Sequence, residues 1–359
     1  MELYHASHQW ATRPADERFS TLADLHAATK RYAESARVAE AMWQDLRVEA
    51  NGEELFVTRG ATPAKITHYA FGQLAARVGA PAAYLRELPS TLAAQNLNHG
   101  LKARGIDGKA QLLLHVNDAL VLRAATSDEY SRIWNYEVVD RLQRMSDRYN
   151  LVPAQQTFSW DGSDAPVDSP DKALYASDHD MFVFLMSQER TITDPTGQTL
   201  RRGIITVNSE VGDCALKVMG FYFRDVCANH IIWGAQQIAE IRLTHRGKIR
   251  ERWMETDIEI RRYLDGAASL DEATLQSLTV RIADDKDAVL DKLFGLRSLG
   301  LSRKVLNAAY EAVDPMEDGD PRSVWGFAQG ITRHAQTIPY ADQRTELDRA
   351  AGTLMQLTF

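Results

Sequence analysis

Apolar and polar positions recur along this chain with two different periods, and the changes of period divide it into elements. Leu22, Leu25, Tyr32 and Val38 follow helical spacing, with Ser20 or Thr21 as the cap and Asp24 in the first turn, which predicts a helix over residues 21–38. Residues 45–57 alternate instead. Val48 and Leu55 flank Asn51 and Gly52, whose tolerance of positive φ suits a two-residue turn, so this stretch predicts a hairpin. Helical spacing returns from Thr67 to Val78, with Gly79 as the stop, then from Pro81 through Tyr84 and Leu85, then from Ser90 through Leu92, Leu97 and Leu101 to Gly105. Residues 111–116 and 119–124 predict a second hairpin around Asn117 and Asp118. Asn135 opens a helix through Val138, Val139, Leu142 and Met145.

Residues 151–171 are rich in Pro, Asp and Ser and read as a long loop. Residues 181–186, MFVFLM, predict a buried strand. A hairpin connection around Pro195, Thr196 and Gly197 follows, ending in Arg201 and Arg202. Ile204 to Val207 is β-branched almost throughout and predicts a strand, and residues 208–213 have turn chemistry. The strand pattern resumes over 214–219 and 221–226, with Gly220 between them as an expected bulge or bend. Beyond Trp233 the chain reads as helical over 270–299, 301–313 and 323–359, broken by the loop 314–321, with Trp325 and Phe327 as candidate anchors.

Lys217 and Arg224 stand inside this apolar stretch, where charge is costly. Either both face solvent from the open side of a sheet, or they line a groove and meet an anionic partner. Their separation of seven puts them on opposite faces of a regular strand. A bulge at Gly220 would bring them to one face. The groove reading therefore places Lys217, Arg224, Arg201 and Arg202 along one border, with His245, Arg246 and Lys248 on the rim. The wider basic cluster, with Arg242, Arg250 and Arg252 added, is either a solvated face with ion pairs or a phosphate-contacting patch.

Composition narrows the classes. A chain of 359 residues with 45% hydrophobic content can bury one large core or two ordinary ones. A net charge of −8 argues against coating nucleic acid by bulk attraction and leaves room for a local basic groove. The two cysteines, Cys214 and Cys227, make no disulfide framework and are expected as free thiols. No apolar run reaches the ~20 residues of a membrane span, and the first ten residues do not read as a secretory signal, so a cytoplasmic protein is expected. No phosphate loop, dinucleotide fingerprint, HExxH, CxxC pair or GxSxG elbow is present.

The remaining candidate chemistry is sparse. Asp178, His179 and Asp180 read as a metal or acid–base cluster, or as a polar turn entering a strand. Glu210, Asp213 and Lys217 resemble nuclease carboxylate–lysine sets with unfamiliar spacing. Cys227 could pair with His230 or His245 as a nucleophile, but a cysteine ending an apolar strand is usually inert packing. His68 and His99 have no second ligand at helical spacing. No catalytic residue, metal or cofactor is assigned on these patterns.

Asn208, Ser209 and Gly212, followed by Val226, Cys227 and Asn229, resemble paired boxes of a phage/plasmid-like family, domain of unknown function 932. The resemblance extends to residues 112–142 and to the Trp325 segment. It implies a lineage and a fold, without a reaction. The hairpin, the turn with Tyr130 and Trp134, and the helix from Asn135 also resemble the β–β–α core of single-strand annealing recombinases at the level of fold.

The expectation is an α+β protein with a mainly antiparallel central sheet over 111–240 and helices on one face. A helical and hairpin region at 1–110 and a helical region at 241–359 flank it. The leading functional reading is a phage- or plasmid-associated homo-oligomer that binds single-stranded DNA and promotes annealing or recombination, which needs no nucleotide site. One alternative is a metal-dependent nuclease or other hydrolase using Asp178, His179, Asp180 or Glu210. Another is a non-catalytic protein-interaction or regulatory protein.

Overall fold

Strands from the two halves of the chain form two separate sheets, joined where a loop of the second meets the first. The structure is a computed structural model that describes residues 15–58, 62–103, 107–116, 119–153, 174–224, 231–233, 241–266, 272, 275–337, 347, 350–355, 357 and 359. Mixed helices and largely antiparallel sheets with a helical C-terminal region make it an α+β protein, as the periodicity predicts.

After a 3-10 turn at Ala15–Glu17, β1 (Arg18–Phe19) joins the second sheet and the chain runs into α1 (Leu22–Glu34). Thr21 caps α1 by accepting from the Asp24 N–H at 3.0 Å. The predicted continuation to Val38 does not occur. α1 ends at Glu34, and β2 (Ala36–Met42) pairs with β6 (Lys109–Val116), Val38 opposite Leu113. The free edge of β6 offers this segment a full ladder of hydrogen bonds, which overrides a helical apolar spacing of only a few positions.

β3 (Arg47–Asn51) and β4 (Glu54–Thr58) form the predicted hairpin one residue out of place. Asn51 is itself paired, with Glu54, so the turn consists of Gly52 and Glu53. Gly52 has φ +60°, the first central position of a primed turn that only glycine enters cheaply. β5 (Pro63–Ile66) runs parallel to β7 (Leu120–Ser127), completing the order β2-β6-β7-β5-β4-β3. Residues 117 and 118 between β6 and β7 lie outside the described residues. Helices α2 (His68–Arg77), α3 (Ala82–Glu87) and α4 (Ser90–Ala103) cover this sheet. Phe71, Leu74, Leu85, Leu97 and Leu101 bury themselves against Val48, Val57, Leu112 and Leu122.

α5 (Asn135–Tyr149) leads into the second sheet. Its strands are β8 (Leu151–Pro153), β9 (Leu174–Ala176), β10 (Met181–Thr193), β11 (Thr199–Asn208), β12 (Leu216–Arg224), β13 (Ile231–Trp233) and β14 (Ile241–Leu243). The order is β1-β9-β10-β11-β12-β13, with β8 also on β10 and β14 on β12. The strands predicted to share one sheet from residue 111 onward are thus divided, because β6 and β7 pair with β2 and β5.

β10 and β11 are longer than predicted, so Arg201 and Arg202 sit in a strand and not in a loop. The register between β11 and β12 is unbroken from Val207–Lys217 to Leu200–Arg224, with Gly220 opposite Ile204. The expected bulge at Gly220 is absent. Positions 217 and 224 therefore alternate onto opposite faces, and no groove bordered by both is built.

The second sheet, α1, α5 and the C-terminal helices share one large core. Those helices include α6 (Ile249–Glu255), α7 (Asp257–Asp265), α8 (Lys286–Phe294), α9 (Arg303–Ala312) and α10 (Val324–Gln336). Trp325 and Phe327 are fully buried in that core, as their choice as anchors anticipates. Among the described residues no helix is long and apolar enough to cross a membrane.

Candidate functional site

The turn that follows β11 is the point where the two sheets lock together. Asn208, Ser209 and Glu210 are buried polar residues, so each must find partners. The Asn208 side-chain amide donates to the Ile133 carbonyl at 3.1 Å and to Asn135 Oδ1 at 2.8 Å. Ser209 Oγ donates to the His179 carbonyl at 2.6 Å and accepts from the backbone N–H groups of Val211, Gly212 and Asp213. Gly212 has φ +90°, and a Cβ there would lie 3.3 Å from the Tyr130 ring. The Asn-Ser-x-x-Gly box is therefore a backbone knot: two side chains satisfy buried groups and a glycine lets the chain turn. Val226, Cys227 and Asn229, the second box, lie outside the described residues.

Glu210 ties the knot to the first sheet. Its Oε2 lies 3.2 Å from Arg123 Nη1 of β7, and its Oε1 accepts from the Asn135 N–H at 2.8 Å. Burial pushes the Glu210 carboxyl up, and the Arg123 guanidinium opposes that shift. Arg123 Nε also donates to the Asp178 carbonyl at 3.2 Å, and Arg132 Nε donates to the Glu210 carbonyl at 2.7 Å. Glu210 is thus engaged on every side.

The turn 177–180, just before β10, lies against this knot. His179 Nδ1 is 2.7 Å from Asp178 Oδ1, and His179 Nε2 is 3.7 Å from Asp180 Oδ2. Ser177 Oγ donates to Asp180 Oδ1 at 2.6 Å. The His179–Asp178 hydrogen bond raises the imidazole pKa and holds the Asp178 carboxyl below its usual range. Asp213 comes in from the turn after β11. His179, Asp180 and Asp213 each present one donor atom within 4.8 Å of the others, a set able to hold a metal ion. Spacing along the sequence pairs Asp213 with Glu210 and Lys217, and only the fold brings it to His179. Cys214 is a free cysteine whose thiol is pushed up by burial, then by Asp213 and Asp180, the reverse of an activated nucleophile.

A second feature lies between α5 and the α6–α7 pair. This cleft of about 660 Å³ is lined by Arg141, Arg144, Arg148, Arg250 and Arg261, with Tyr136 and Trp253 beside them. The acidic lining is Glu137, Asp140 and Asp257, so arginines outnumber carboxylates. Arg141 is buried, stacks over Trp253 at 4.2 Å and donates through Nε to Asp257 at 2.8 Å. Burial lowers its guanidinium pKa. Asp257 opposes the shift, and the like charges of Arg144 and Arg261 add to it. Arg144 pairs with Asp140 at 2.6 Å and Arg250 with Glu137 at 2.5 Å. Arg148 and Arg261 are exposed, and neither pairs with a carboxylate among the described residues. The spacing of Arg141, Arg144 and Arg148 puts all three on one helix face, a signal carried by the sequence outside the strand segments that suggested a groove.

The basic residues read from the sequence do not converge. Arg202 is 2% exposed, and its Nη1 donates to the Tyr263 carbonyl at 3.1 Å and to that of Gly266. Arg201 Nη1 donates to the Gln188 carbonyl at 2.6 Å. Lys217 is 5% exposed, at the position opposite Val207 and Arg242. Arg224 ends β12 opposite Leu200, and its side chain lies outside the described residues. His245 is buried and stacked on Tyr130 at 5.1 Å, its Nδ1 3.2 Å from the Ser131 carbonyl, and burial pushes its pKa down to about 4. Arg246 and Lys248 are exposed and lie 3.9 Å from Glu129 and 3.1 Å from Glu251. Of the wider basic cluster, only Arg250 reaches the arginine cleft.

Comparison with known proteins gives one match. The family model described as Domain of unknown function (DUF932) matches residues 141–355, which takes in most of α5, the second sheet apart from β1, and the C-terminal helices. No curated protein and no solved structure matches the chain.

Proposed function

The chain belongs to the family described as Domain of unknown function (DUF932), and on that premise we propose that it binds single-stranded DNA, with the arginine cleft between α5 and α6–α7 as the seat of the phosphodiester backbone. The observation that carries this reading is the concentration of five arginines in one cleft of a protein whose net charge is −8. Arg141, Arg144 and Arg250 are positioned by ion pairs, while Arg148 and Arg261 reach solvent without a carboxylate partner among the described residues. Planar guanidinium groups suit phosphate oxygens. Tyr136 adds a half-buried ring beside them for a base to stack on. Strand annealing by a homo-oligomer asks for no more than such a groove, since it needs the backbone held and the bases left open.

The test is the affinity for a fluorescent single-stranded oligonucleotide as a function of salt. Wild-type affinity should fall linearly on a log–log plot. Arg148→Ala combined with Arg261→Ala should lower the slope by about 1.4, at about 0.7 for each phosphate no longer neutralised. Arg246→Ala combined with Lys248→Ala is the control outside the cleft and should leave the slope unchanged. A flat salt response, or no binding at low salt, overturns the proposal. A slope that changes only in the control pair moves the phosphate contact away from the cleft and overturns its role as the seat.

A further inference from the structure

We propose that His179, Asp180 and Asp213 form a divalent-cation site at the junction of the two sheets, suited to a first-row divalent metal such as Zn²⁺ or Mn²⁺ and independent of the DNA-binding cleft. The three side chains come from two separate segments, the turn before β10 and the turn after β11. Ser209 clamps those segments together by donating to the His179 carbonyl at 2.6 Å while its Oγ accepts the Asp213 N–H at 3.0 Å. The donor atoms already lie within 4.8 Å of one another, and His179 Nε2 is 3.7 Å from Asp180 Oδ2. An ion about 2.1 Å from each ligand in tetrahedral geometry needs donors roughly 3.4 Å apart, so a small closure completes the set.

Two further features favour a cation here. His179 Nδ1 lies 2.7 Å from Asp178 Oδ1, so with the proton on Nδ1 the ring turns Nε2 toward Asp180 as the ligand atom. Metal-binding histidines are commonly oriented by a carboxylate in this way. Asp180 is 1% exposed and accepts from Ser177 Oγ at 2.6 Å through Oδ1, which fixes its carboxylate with Oδ2 on the His179 side. One imidazole and two carboxylates match the donor preference of Zn²⁺ and Mn²⁺ better than the all-oxygen shell of Mg²⁺. Asp213 is exposed, so coordination positions on that side open to solvent, as in sites where a metal holds water or a further ligand.

The experiment uses full-length protein stripped with chelator and titrated with Mn²⁺, Zn²⁺ and Mg²⁺ by calorimetry, with Co²⁺ absorption as a report on nitrogen and oxygen ligation. One equivalent of Mn²⁺ or Zn²⁺ should bind, more tightly than Mg²⁺. Asp213→Asn should weaken binding at least tenfold, and because Asp213 is exposed its metal-free melting temperature should stay near that of wild type. Asp178→Asn, which removes only the orienting carboxylate, should weaken binding about 10- to 100-fold. Absence of stoichiometric binding by all of these ions overturns the proposal. So does binding of equal strength in wild type, Asp213→Asn and Asp178→Asn.

Discussion

Arg123 Nη1 and Glu210 Oε2 lie 3.2 Å apart with both side chains almost wholly buried, and this ion pair joins β7 of the first sheet to the turn after β11 of the second. Charges withdrawn from water are held there by each other and by backbone partners, the Asp178 carbonyl for Arg123 and the Asn135 N–H for Glu210.

Removing both members should cost less than the sum of removing each. Glu210→Met strands the buried guanidinium, and Arg123→Met strands the buried carboxylate. Each should lower stability by about 3–5 kcal/mol. The double variant Arg123→Met with Glu210→Met should lose clearly less than the sum of the single losses, as measured by urea unfolding. Additive losses would mean the two groups do not act as a pair.

Gly52 offers a cleaner test of backbone than of packing. A Cβ at this position would meet nothing within 4 Å, yet φ is +60°. Gly52→Val should therefore destabilise by about 1–3 kcal/mol through strain alone. Glu53→Val, at the other turn position, whose φ is not positive, should cost much less. Thermal midpoints of the two variants check the order, and equal midpoints would refute the turn geometry.

Gly330 in α10 makes the opposite case. A Cβ there would stand 2.3 Å from the Ala309 carbonyl oxygen and 2.5 Å from Val313 Cγ2. Alanine is favoured over glycine in a helix by about 1 kcal/mol. Gly330→Ala should nevertheless destabilise, by about 1–3 kcal/mol, because the α9–α10 packing must open. A gain in stability on chemical denaturation would show that the helices do not approach this closely.

His245 should make stability depend on pH. Its folded pKa is pushed to about 4 by burial, with the Arg132 charge adding to the shift and the Ser131 hydrogen bond opposing it. An unfolded histidine titrates near 6.5. Between those values the unfolded state binds the extra proton, so stability is full above pH ~6.5 and falls as pH drops toward ~4. The whole effect amounts to at most about 3 kcal/mol. His245→Gln should flatten the pH 7-to-5 difference in unfolding free energy relative to wild type, and an unchanged difference would place the acid sensitivity elsewhere.

Local features were legible in the sequence because they depend on neighbours a few residues away. Thr21 and Thr67 cap their helices, Gly79 takes the left-handed conformation after α2, Asn135 opens α5, and Trp325 and Phe327 enter the core. The clustering of polar residues at 178–180 and 208–213 also marked the two loops that meet at the sheet junction.

Pairing and register were decided only by tertiary structure. Residues 36–42 became a strand because β6 had a free edge, and β6 and β7 joined the first sheet because β2 and β5 lay beside them. Gly220 stayed in register because β11 supplied a partner at every position from Leu200 to Val207, which kept positions 217 and 224 on opposite faces. His179 met Asp213, and Arg148 met Arg261, across segments distant in the chain. A hydrophobic period sets which face of an element is buried, but which element receives that face, and which charges then share a cleft, depends on contacts between residues far apart in sequence that no local pattern encodes.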